Sequence, residues 1–302
     1  MEENIYPNYL CASPTVTAVR LHSMEKLYGL NCELIGAVLF EGATGSCMDK
    51  VCMGMLTLAR RSGKLTEGMP IVEASHGTFG SALAIVARQL GHKVYLVMPE
   101  TVEPDRVKAL RFLGAEIVTT KALYGREHIE KRAADLAQEL GGYYINYFAN
   151  DDNVEYHRQV TGPELMKTLG GKLDVLVAGV GSGGTVSGVG EYIKAWTNNV
   201  KVVAVEPYES SVISGGFAGR HQIAGIGAGF VPQNYNNLIV DEVQTVTTGD
   251  ALKTAQQLMK YEGLPAGPAS GAAASVAIRL AALKENENKR IVMVLSSRQE
   301  LD

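Results

Sequence analysis

The chain has 302 residues, of which 46% are apolar and 20% charged, so it can form one large or two medium-sized globular domains. Its net charge is −4, and its basic residues are scattered, which argues against nucleic acid and anionic membranes as partners. No apolar run is long enough to cross a bilayer, and Met1–Asn4 lacks the basic and apolar regions of a signal peptide. We therefore expect a cytoplasmic protein.

All four cysteines lie in the first sixth of the chain, at Cys11, Cys32, Cys47 and Cys52. No two of them form a CxxC pair, and no histidine cluster lies near them. A disulfide framework or a zinc site would need such spacing. We expect reduced thiols and no metal site.

Short β-branched runs alternate with amphipathic stretches from about residue 69 onward. The predicted strands are Pro70–Ala74, Lys93–Met98, Glu116–Thr120, Tyr143–Tyr147, Val175–Val180, Val200–Val205 and Arg290–Leu295. The predicted helices include Arg106–Gly114, Glu127–Gly141, Ala251–Gly263 and Ala272–Lys284, and glycines suited to a left-handed C-cap end several of them. This order predicts an α/β fold with largely parallel, twisted sheets flanked by helices.

The polar segment Asn150–Asn153 is the best candidate for a domain boundary. It divides the chain into an N-terminal α/β domain, residues 1–150, and a C-terminal α/β domain, residues 151–302, on which the segment of about 10–40 is expected to pack. The stretch from Ser210 to Tyr235 is long, glycine-rich and without periodicity, which is typical of a functional loop.

The strongest ligand-binding signal is the loop Gly179–Thr185, which follows a predicted strand and opens a predicted helix. Glycines let backbone N–H groups approach an anion, and a helix N-terminus adds partial positive charge. Gly181, Ser182, Gly183, Gly184 and Thr185 are therefore candidate phosphate-binding residues.

The same loop also fits the GxGxxG template of dinucleotide-binding proteins, through Gly179, Gly181 and Gly184. Glu206 ends the next predicted strand, where a ribose-binding acid would lie. An NAD-binding protein is thus an alternative, although the pattern lies in the middle of the chain.

Two further loops follow the same logic of a turn before a helix. Glu73–Gly80 follows a predicted strand, and its N–H groups suit a carboxylate; its candidate residues are Ser75, His76, Gly77, Thr78 and Phe79. His76 is its titratable group and a candidate for proton transfer. Gly42–Lys50 leads into a predicted helix and alone is a weak signal.

Taken together, the three loops resemble those of the cysteine synthase (O-acetylserine sulfhydrylase) and cystathionine β-synthase family, from about Thr15 to Ser297. Gly179–Thr185 looks like the phosphate loop of that family, and Glu73–Gly80 looks like its substrate-carboxylate loop. Further matching motifs are Met98–Glu100, Leu113–Glu116, His157 with Thr161–Glu164, Ala204–Pro207, Gly225–Phe230 and Gly267–Gly271. The resemblance implies a fold type II pyridoxal-phosphate (PLP) enzyme, similar to the tryptophan synthase β-subunit, and a homodimer.

Relative to the family pattern, this chain departs at the groups that meet the cofactor ring. The lysine that forms the Schiff base in relatives aligns with Met48, and a thioether can neither form that bond nor act as a base. The other departures are Thr78 for an asparagine, Tyr147 for a glutamine, His76 for a serine, and Ala269, beside Ser270, for the serine near the ring nitrogen. Lys50 lies two positions further on and is not expected to replace the lysine.

Three functions are consistent with this pattern. The first is a divergent enzyme that acts on an amino-acid-like or phosphate-bearing ligand, with PLP held without a lysine or with another phosphate ligand in its place. In this hypothesis His76, Tyr147 and Thr78 are the candidate catalytic residues. The second is a PLP-dependent β-replacement enzyme of the cysteine synthase type whose lysine was substituted by methionine. The third is a non-catalytic binding or scaffold protein.

The family places the active-site mouth at Gly225, Ile226 and Gly227. Relatives accept peptide C-termini there, so the resemblance implies a peptide as a candidate partner at this loop.

Overall fold

A computed structural model describes residues 5–75, 77–197 and 199–299. Its strands are β1 (Thr17–Arg20), β2 (Glu33–Val38), β3 (Ile71–Ala74), β4 (Val94–Pro99), β5 (Ala115–Thr120), β6 (Tyr143–Tyr144), β7 (Val175–Gly179), β8 (Lys201–Pro207), β9 (Glu242–Val246) and β10 (Arg290–Leu295). Its α-helices are α1 (Tyr9–Ala12), α2 (His22–Tyr28), α3 (Met48–Arg61), α4 (Thr78–Gln89), α5 (Pro104–Phe112), α6 (Gly125–Glu139), α7 (Asp151–Tyr156), α8 (Gly162–Thr168), α9 (Gly184–Trp196), α10 (Thr248–Glu262) and α11 (Pro268–Ala281). A π-helical segment, His157–Thr161, joins α7 to α8.

The contacts between Cα atoms divide the described chain into two compact units. The first unit contains residues 5–12, Gly42–Thr44 and Met48–Asp152. The second unit contains Ser13–Glu41, Gly45–Cys47 and residues 153–299.

In the first unit, the sheet has four parallel strands in the order β5-β4-β3-β6. Helix α6 packs on β3, β4 and β6, while α4 packs on β4. Part of the core between α6 and the sheet consists of Val72, Val97, Ala133 and Leu136. Because these strands are apolar on both faces, helices must cover them to exclude water.

In the second unit, the sheet has six strands in the order β1-β2-β10-β7-β8-β9. Only the β1–β2 pair is antiparallel among these strands, and the remaining neighbours run parallel. Helix α11 packs on β10, β7 and β8, and α9 packs on β7 and β8. The prediction of an α/β fold with largely parallel sheets flanked by helices is confirmed.

Helices α10 and α11 show why the small residues of this region matter. The N-cap Thr247 accepts a hydrogen bond from the Asp250 N–H (3.1 Å), and Gly263 ends α10 with a left-handed φ of 68°. A Cβ at Gly271 would lie 2.2 Å from the Ala251 carbonyl oxygen, so glycine lets the two helices pack in close contact. Dense packing of this kind needs small residues at the contact.

The strand predicted at Tyr143–Tyr147 is shorter in the structure and ends at Tyr144. The Ile145 N–H still donates to the Val72 carbonyl oxygen (3.1 Å). Asn146 then has a φ of 50°, a left-handed conformation that leaves the strand path. The apolar run continued beyond the strand because the residues after the turn are also buried.

Candidate functional site

In the second unit, the glycine-rich loop after β7 is a closely packed cradle. Gly183 caps α9 with a φ of 85°, and a Cβ there would lie 2.8 Å from the Tyr235 backbone nitrogen. A Cβ at Gly184 would lie 1.9 Å from Asn153 Oδ1, and one at Gly181 would lie 2.4 Å from the Gly225 carbonyl oxygen. Side chains are therefore excluded at these three positions, which leaves the backbone there as a surface for a ligand.

Hydroxyl groups supplement the backbone of this loop. Ser182 Oγ accepts hydrogen bonds from Asn153 Nδ2 (3.0 Å) and from the Gly184 N–H (3.4 Å). The first turn of a helix has N–H groups without partners in the helix itself. The start of α9 thus combines backbone N–H groups, the helix dipole and the Ser182 and Thr185 hydroxyls, which together suit a phosphate group.

Thr185 contacts a buried histidine. Its Oγ1 lies 3.1 Å from His157 Nε2, and His157 Nδ1 lies 2.9 Å from Thr161 Oγ1. Burial lowers the pKa of His157 to about 3, so its imidazole is neutral at physiological pH.

The segment Gly225–Gly227 packs against the predicted phosphate loop and the start of α11 within this unit. The Gly227 N–H donates to the Val180 carbonyl oxygen (2.9 Å), and a Cβ at Gly179 would lie 2.7 Å from Ile226 Cγ2. A Cβ at Gly225 would lie 3.4 Å from the Ala269 Cβ. The second unit therefore brings together the sequence-predicted residues at Gly181–Thr185, Gly225–Gly227 and Ala269.

The Ser270 hydroxyl is hydrogen bonded to the backbone and is not open to a ligand. Its hydroxyl donates to the Ser297 carbonyl oxygen (2.7 Å) and accepts from the Ser297 N–H (3.0 Å), and its side chain is fully buried. These bonds fix the start of α11 against the end of β10.

In the first unit, the predicted residues Met48, Phe79 and Tyr147 lie together. The Tyr147 hydroxyl donates to the Met48 sulfur at 3.3 Å. The rings of Tyr147 and Phe79 stack with centroids 3.9 Å apart and an interplanar angle of 23°. Both aromatic side chains are buried. The stack holds the phenol in one orientation against the first residue of α3.

Beneath Tyr147 lies a buried carboxyl group that the sequence analysis did not assign. The Tyr147 N–H is 3.4 Å from each oxygen of the Glu73 carboxyl group. Burial raises the pKa of Glu73 to about 8, although hydrogen bonds from the Tyr147 and Asn146 backbone oppose the shift. A glutamate directly after the apolar residues Ile71 and Val72 was the available signal, because a buried strand rarely contains an unpaired acid.

The predicted carboxylate loop is more open. Thr78 begins α4 and is exposed, as is Gly77, whose added Cβ would meet no described atom within 4 Å. Ser75 is half-buried, and its Oγ would lie 3.2 Å from a Cβ at Gly80. His76 lies outside the described residues. The start of α4 offers accessible N–H groups but no closed cradle.

Lys50 is hydrogen bonded within the first unit. Its ammonium group donates to the Leu10 carbonyl oxygen (2.8 Å), and burial lowers its pKa. The neighbouring Asp49 caps the preceding turn by accepting from the Thr44 N–H (2.9 Å) and the Thr44 hydroxyl (3.0 Å).

Glu206, the ribose-binding candidate of the NAD alternative, is used to anchor a loop. It is fully buried and accepts hydrogen bonds from the Ile213 N–H (2.8 Å) and the Ser214 N–H (2.9 Å). These contacts pin the start of the long segment after β8. Both oxygens of this side chain are therefore engaged within the fold, and neither is exposed.

Two classes of feature are absent from the residues that the structure describes. No group of three or more histidine, cysteine, aspartate or glutamate side chains could hold a metal ion. No described helix is both long and apolar enough to span a membrane. None of the four cysteines forms a disulfide, and only Cys11 among them is exposed.

Comparisons with known proteins identify the family. A family profile described as "Pyridoxal-phosphate dependent enzyme" matches residues 14–297. The cysteine synthase of Haemophilus influenzae is 41% identical over 286 residues, which are 91% of this chain and 90% of the relative.

Solved structures agree with this assignment. O-acetyl serine sulfhydrylase isoform 3 from Entamoeba histolytica superposes with a TM-score of 0.91 at 34% identity, covering 98% of this chain and 89% of that one. A lysine-to-alanine variant of O-ureido-L-serine synthase with O-ureido-L-serine bound gives 0.87 at 29% identity, covering 97% and 91%. With the glycine cradle, the parallel sheets and these matches in agreement, the chain belongs to the cysteine synthase family of fold type II pyridoxal-phosphate dependent enzymes.

Proposed function

We propose that this chain is a divergent cysteine synthase-like enzyme that binds PLP, or another phosphate-bearing ligand, without a covalent link to a lysine. Its substrate is an amino-acid-like molecule. The observation that carries the proposal is the first residue of α3, where the resemblance expects the Schiff-base lysine. Met48 stands there, and its sulfur accepts a hydrogen bond from the Tyr147 hydroxyl (3.3 Å).

The phosphate group fits the start of α9. The glycines leave no space for a Cβ, so the backbone N–H groups are the surface that an anion meets. The two acceptor contacts of Ser182 Oγ leave its proton for the ligand. An anion at this position is stabilised by the helix dipole and by direct hydrogen bonds.

The resemblance implies that position 48 faces the cofactor ring, and Met48 offers different chemistry there from that of a lysine. A thioether forms no bond to an aldehyde carbon and transfers no proton. Lys50 does not supply a replacement, because its ammonium group is bonded to the Leu10 carbonyl. The similar enzyme O-ureido-L-serine synthase was solved as a lysine-to-alanine variant with O-ureido-L-serine bound, so a relative that lacks one of its lysines still holds this ligand.

Bound PLP would supply an electron sink for a carbanion on the amino-acid ligand. In this chain the Tyr147 hydroxyl is the group positioned to hold or move a proton beside Met48. Its ring is fixed by the stack on Phe79, which reduces the entropy lost in orienting the hydroxyl. The accessible N–H groups at the start of α4 would bind the ligand carboxylate.

Native mass spectrometry of the purified protein tests the cofactor directly. We expect a mass increase of PLP or of another phosphate compound that is lost on denaturation. Borohydride treatment should fix no PLP to the wild-type chain. PLP fixed to any lysine of the wild type, with the visible absorbance of a lysine-bound cofactor, would refute the proposal.

A lysine introduced by M48K should restore the covalent link. We expect borohydride-fixed PLP at position 48 in this variant, because the family resemblance aligns this position with the Schiff-base lysine. The matched control is M53K, since Met53 is a half-buried methionine of the same helix. Labelling of M53K but not M48K would show that Met48 is not at the lysine position.

Two further measurements test the assembly state and the catalytic turnover. Light scattering after size-exclusion chromatography measures the homodimer that the family resemblance implies. Turnover of L-serine or O-acetyl-L-serine with sulfide distinguishes an enzyme from a non-catalytic binding protein.

A further inference from the structure

The motif of His157 with Thr161–Glu164 has no role in the function proposed so far, yet it forms a buried polar chain within the second unit. His157 has 2% of its surface exposed. Its Nδ1 lies 2.9 Å from Thr161 Oγ1, and its Nε2 lies 3.1 Å from Thr185 Oγ1. Thr161 is also hydrogen bonded to the phenol of Tyr156. The order of groups is therefore Tyr156, Thr161, His157 and Thr185.

We propose that His157 is a positioning residue for the phosphate loop: its Nε2–H is donated to Thr185 Oγ1, so that the Thr185 O–H is left to donate to a bound phosphate. This inference rests on the proposed phosphate site at the start of α9. It adds a group that touches no ligand but fixes the proton of one that does.

The backbone brings His157 close to the phosphate loop. A π-helical segment, His157–Thr161, places His157 Nδ1 on Thr161 four residues later. Across from it, a Cβ at Gly188 would lie 2.7 Å from the His157 Cβ and 2.3 Å from the Val154 carbonyl oxygen. Only glycine in α9 permits this approach. π-Helical segments often occur at functional sites.

The imidazole of His157 is uncharged in the fold. Burial is the sole cause of the lowered pKa of His157, about 3, with no charged group of the described residues contributing. The ring is therefore neutral, and it donates from one nitrogen and accepts at the other. Its two neighbours are both hydroxyls, which can adapt to either tautomer.

Chemistry of the ligand selects the tautomer. If Nδ1 carried the proton, Thr185 would donate to Nε2 and present only lone pairs to the ligand. A phosphate dianion only accepts hydrogen bonds, so that arrangement would oppose binding. With the proton on Nε2, Thr161 donates to Nδ1, His157 donates to Thr185, and the Thr185 proton is free for the phosphate. Donors in such a chain polarise one another.

A double-mutant cycle tests the proposal, with inorganic phosphate and PLP as probes and isothermal titration calorimetry as the measurement. H157L and T185V should each weaken binding about tenfold, the effect of one hydrogen bond to a charged group. The double variant should be no weaker than T185V, within about twofold, because His157 acts through the Thr185 hydroxyl. H157Q, whose amide can still donate, and T185S, which keeps the hydroxyl, should bind within about threefold of wild type.

Additive losses in the double variant would overturn the inference, because they would show that His157 acts independently of Thr185. Circular dichroism and thermal unfolding check that each variant is folded. Wild-type protein that binds PLP while the cycle is additive removes only this inference. Wild-type protein that binds neither probe removes the proposed function as well.

A measurement without any substitution covers the case in which H157L does not fold. Nitrogen-15 NMR of histidine-labelled wild type reports which ring nitrogen is protonated. We expect the Nε2–H tautomer in the phosphate-bound protein. An Nδ1–H tautomer with phosphate bound would overturn the proposal.

Discussion

The two units both have a helix start after a parallel strand, but the two starts are built differently. At α9 an added Cβ on Gly184 would overlap Asn153 Oδ1 at 1.9 Å, whereas at α4 an added Cβ on Gly77 would meet nothing within 4 Å. The first is a closed cradle defined by its neighbours, and the second is an open, exposed terminus. We therefore expect the start of α9 to select a small anion, and the start of α4 to accept anionic groups of different sizes.

Each unit also has a buried titratable group. Burial keeps both groups neutral, by raising the pKa of the acid and lowering the pKa of the base. Glu73 retains its proton because its pKa is raised to about 8, and His157 lacks one because its pKa is lowered to about 3. Glu73 is bonded to backbone N–H groups, whereas His157 is bonded to hydroxyls. In both units, burial therefore disfavours the charged form of this side chain.

The largest expected effect is on the pH dependence of stability, through E73Q. Unfolded Glu73 loses its proton near pH 4.3, and folded Glu73 loses it near pH 8, so the group lowers stability as pH rises between those values. The free energy of unfolding of wild type should fall by about 1.4 kcal/mol per pH unit relative to E73Q over about pH 5–8. Denaturant titrations at each pH measure the difference.

The control for this prediction is E116Q, because Glu116 is exposed on β5 of the same sheet. It should leave the pH profile unchanged. His157 acts in the opposite direction, since its lowered pKa costs stability only as pH falls below about 6.5. A profile of E73Q parallel to that of wild type would show that Glu73 is ionised in the fold.

Next in size is the steric difference between the two helix starts. G184A should destabilise the fold by about 1–3 kcal/mol and remove phosphate binding, because Asn153 must move to admit the methyl group. G77A should cost less than about 1 kcal/mol, since the methyl group has space. Thermal unfolding and phosphate titration check both variants. Equal costs would contradict the distinction between a closed and an open start.

The smallest effect is expected for Y147F. The stack on Phe79 and the backbone bond to Glu73 remain, while the contact of the hydroxyl with the Met48 sulfur is lost. Because sulfur is a weak acceptor, the loss should be at most about 1 kcal/mol in the free energy of unfolding. Chemical denaturation measures it, with Y124F, at an exposed tyrosine, as the control. A loss of several kcal/mol would show that the hydroxyl is essential to the packing.

Sequence patterns were sufficient for much of the fold. The continuous apolar runs predicted β3, β4, β7, β8 and β10, because parallel strands are buried on both faces. They did not predict β1, β2 or β9. β1 and β9 are the edge strands of their sheet, where burial is partial and the apolar signal is weaker. β2 is buried along most of its length, so partial burial does not account for that strand.

The candidate site likewise has one part that the sequence predicted and another part that only the structure shows. Gly179–Thr185 was predictable because a strand, a glycine run and a helix start follow one another in the chain, and local sequence determines such a turn. The contacts of Tyr147 with Met48 and of His157 with Thr185 join residues 99 and 28 positions apart. No local pattern reports a contact of that kind.

By itself, the sequence determined the α/β class, the glycine loop and the presence of methionine at position 48. These features depend on residue type and spacing along a single stretch of chain. Only the tertiary structure decided that Glu73 is buried beneath Tyr147, that Glu206 anchors a loop and that His157 contacts Thr185. Burial and hydrogen bonding depend on which distant segments pack together, and they set the protonation of each group.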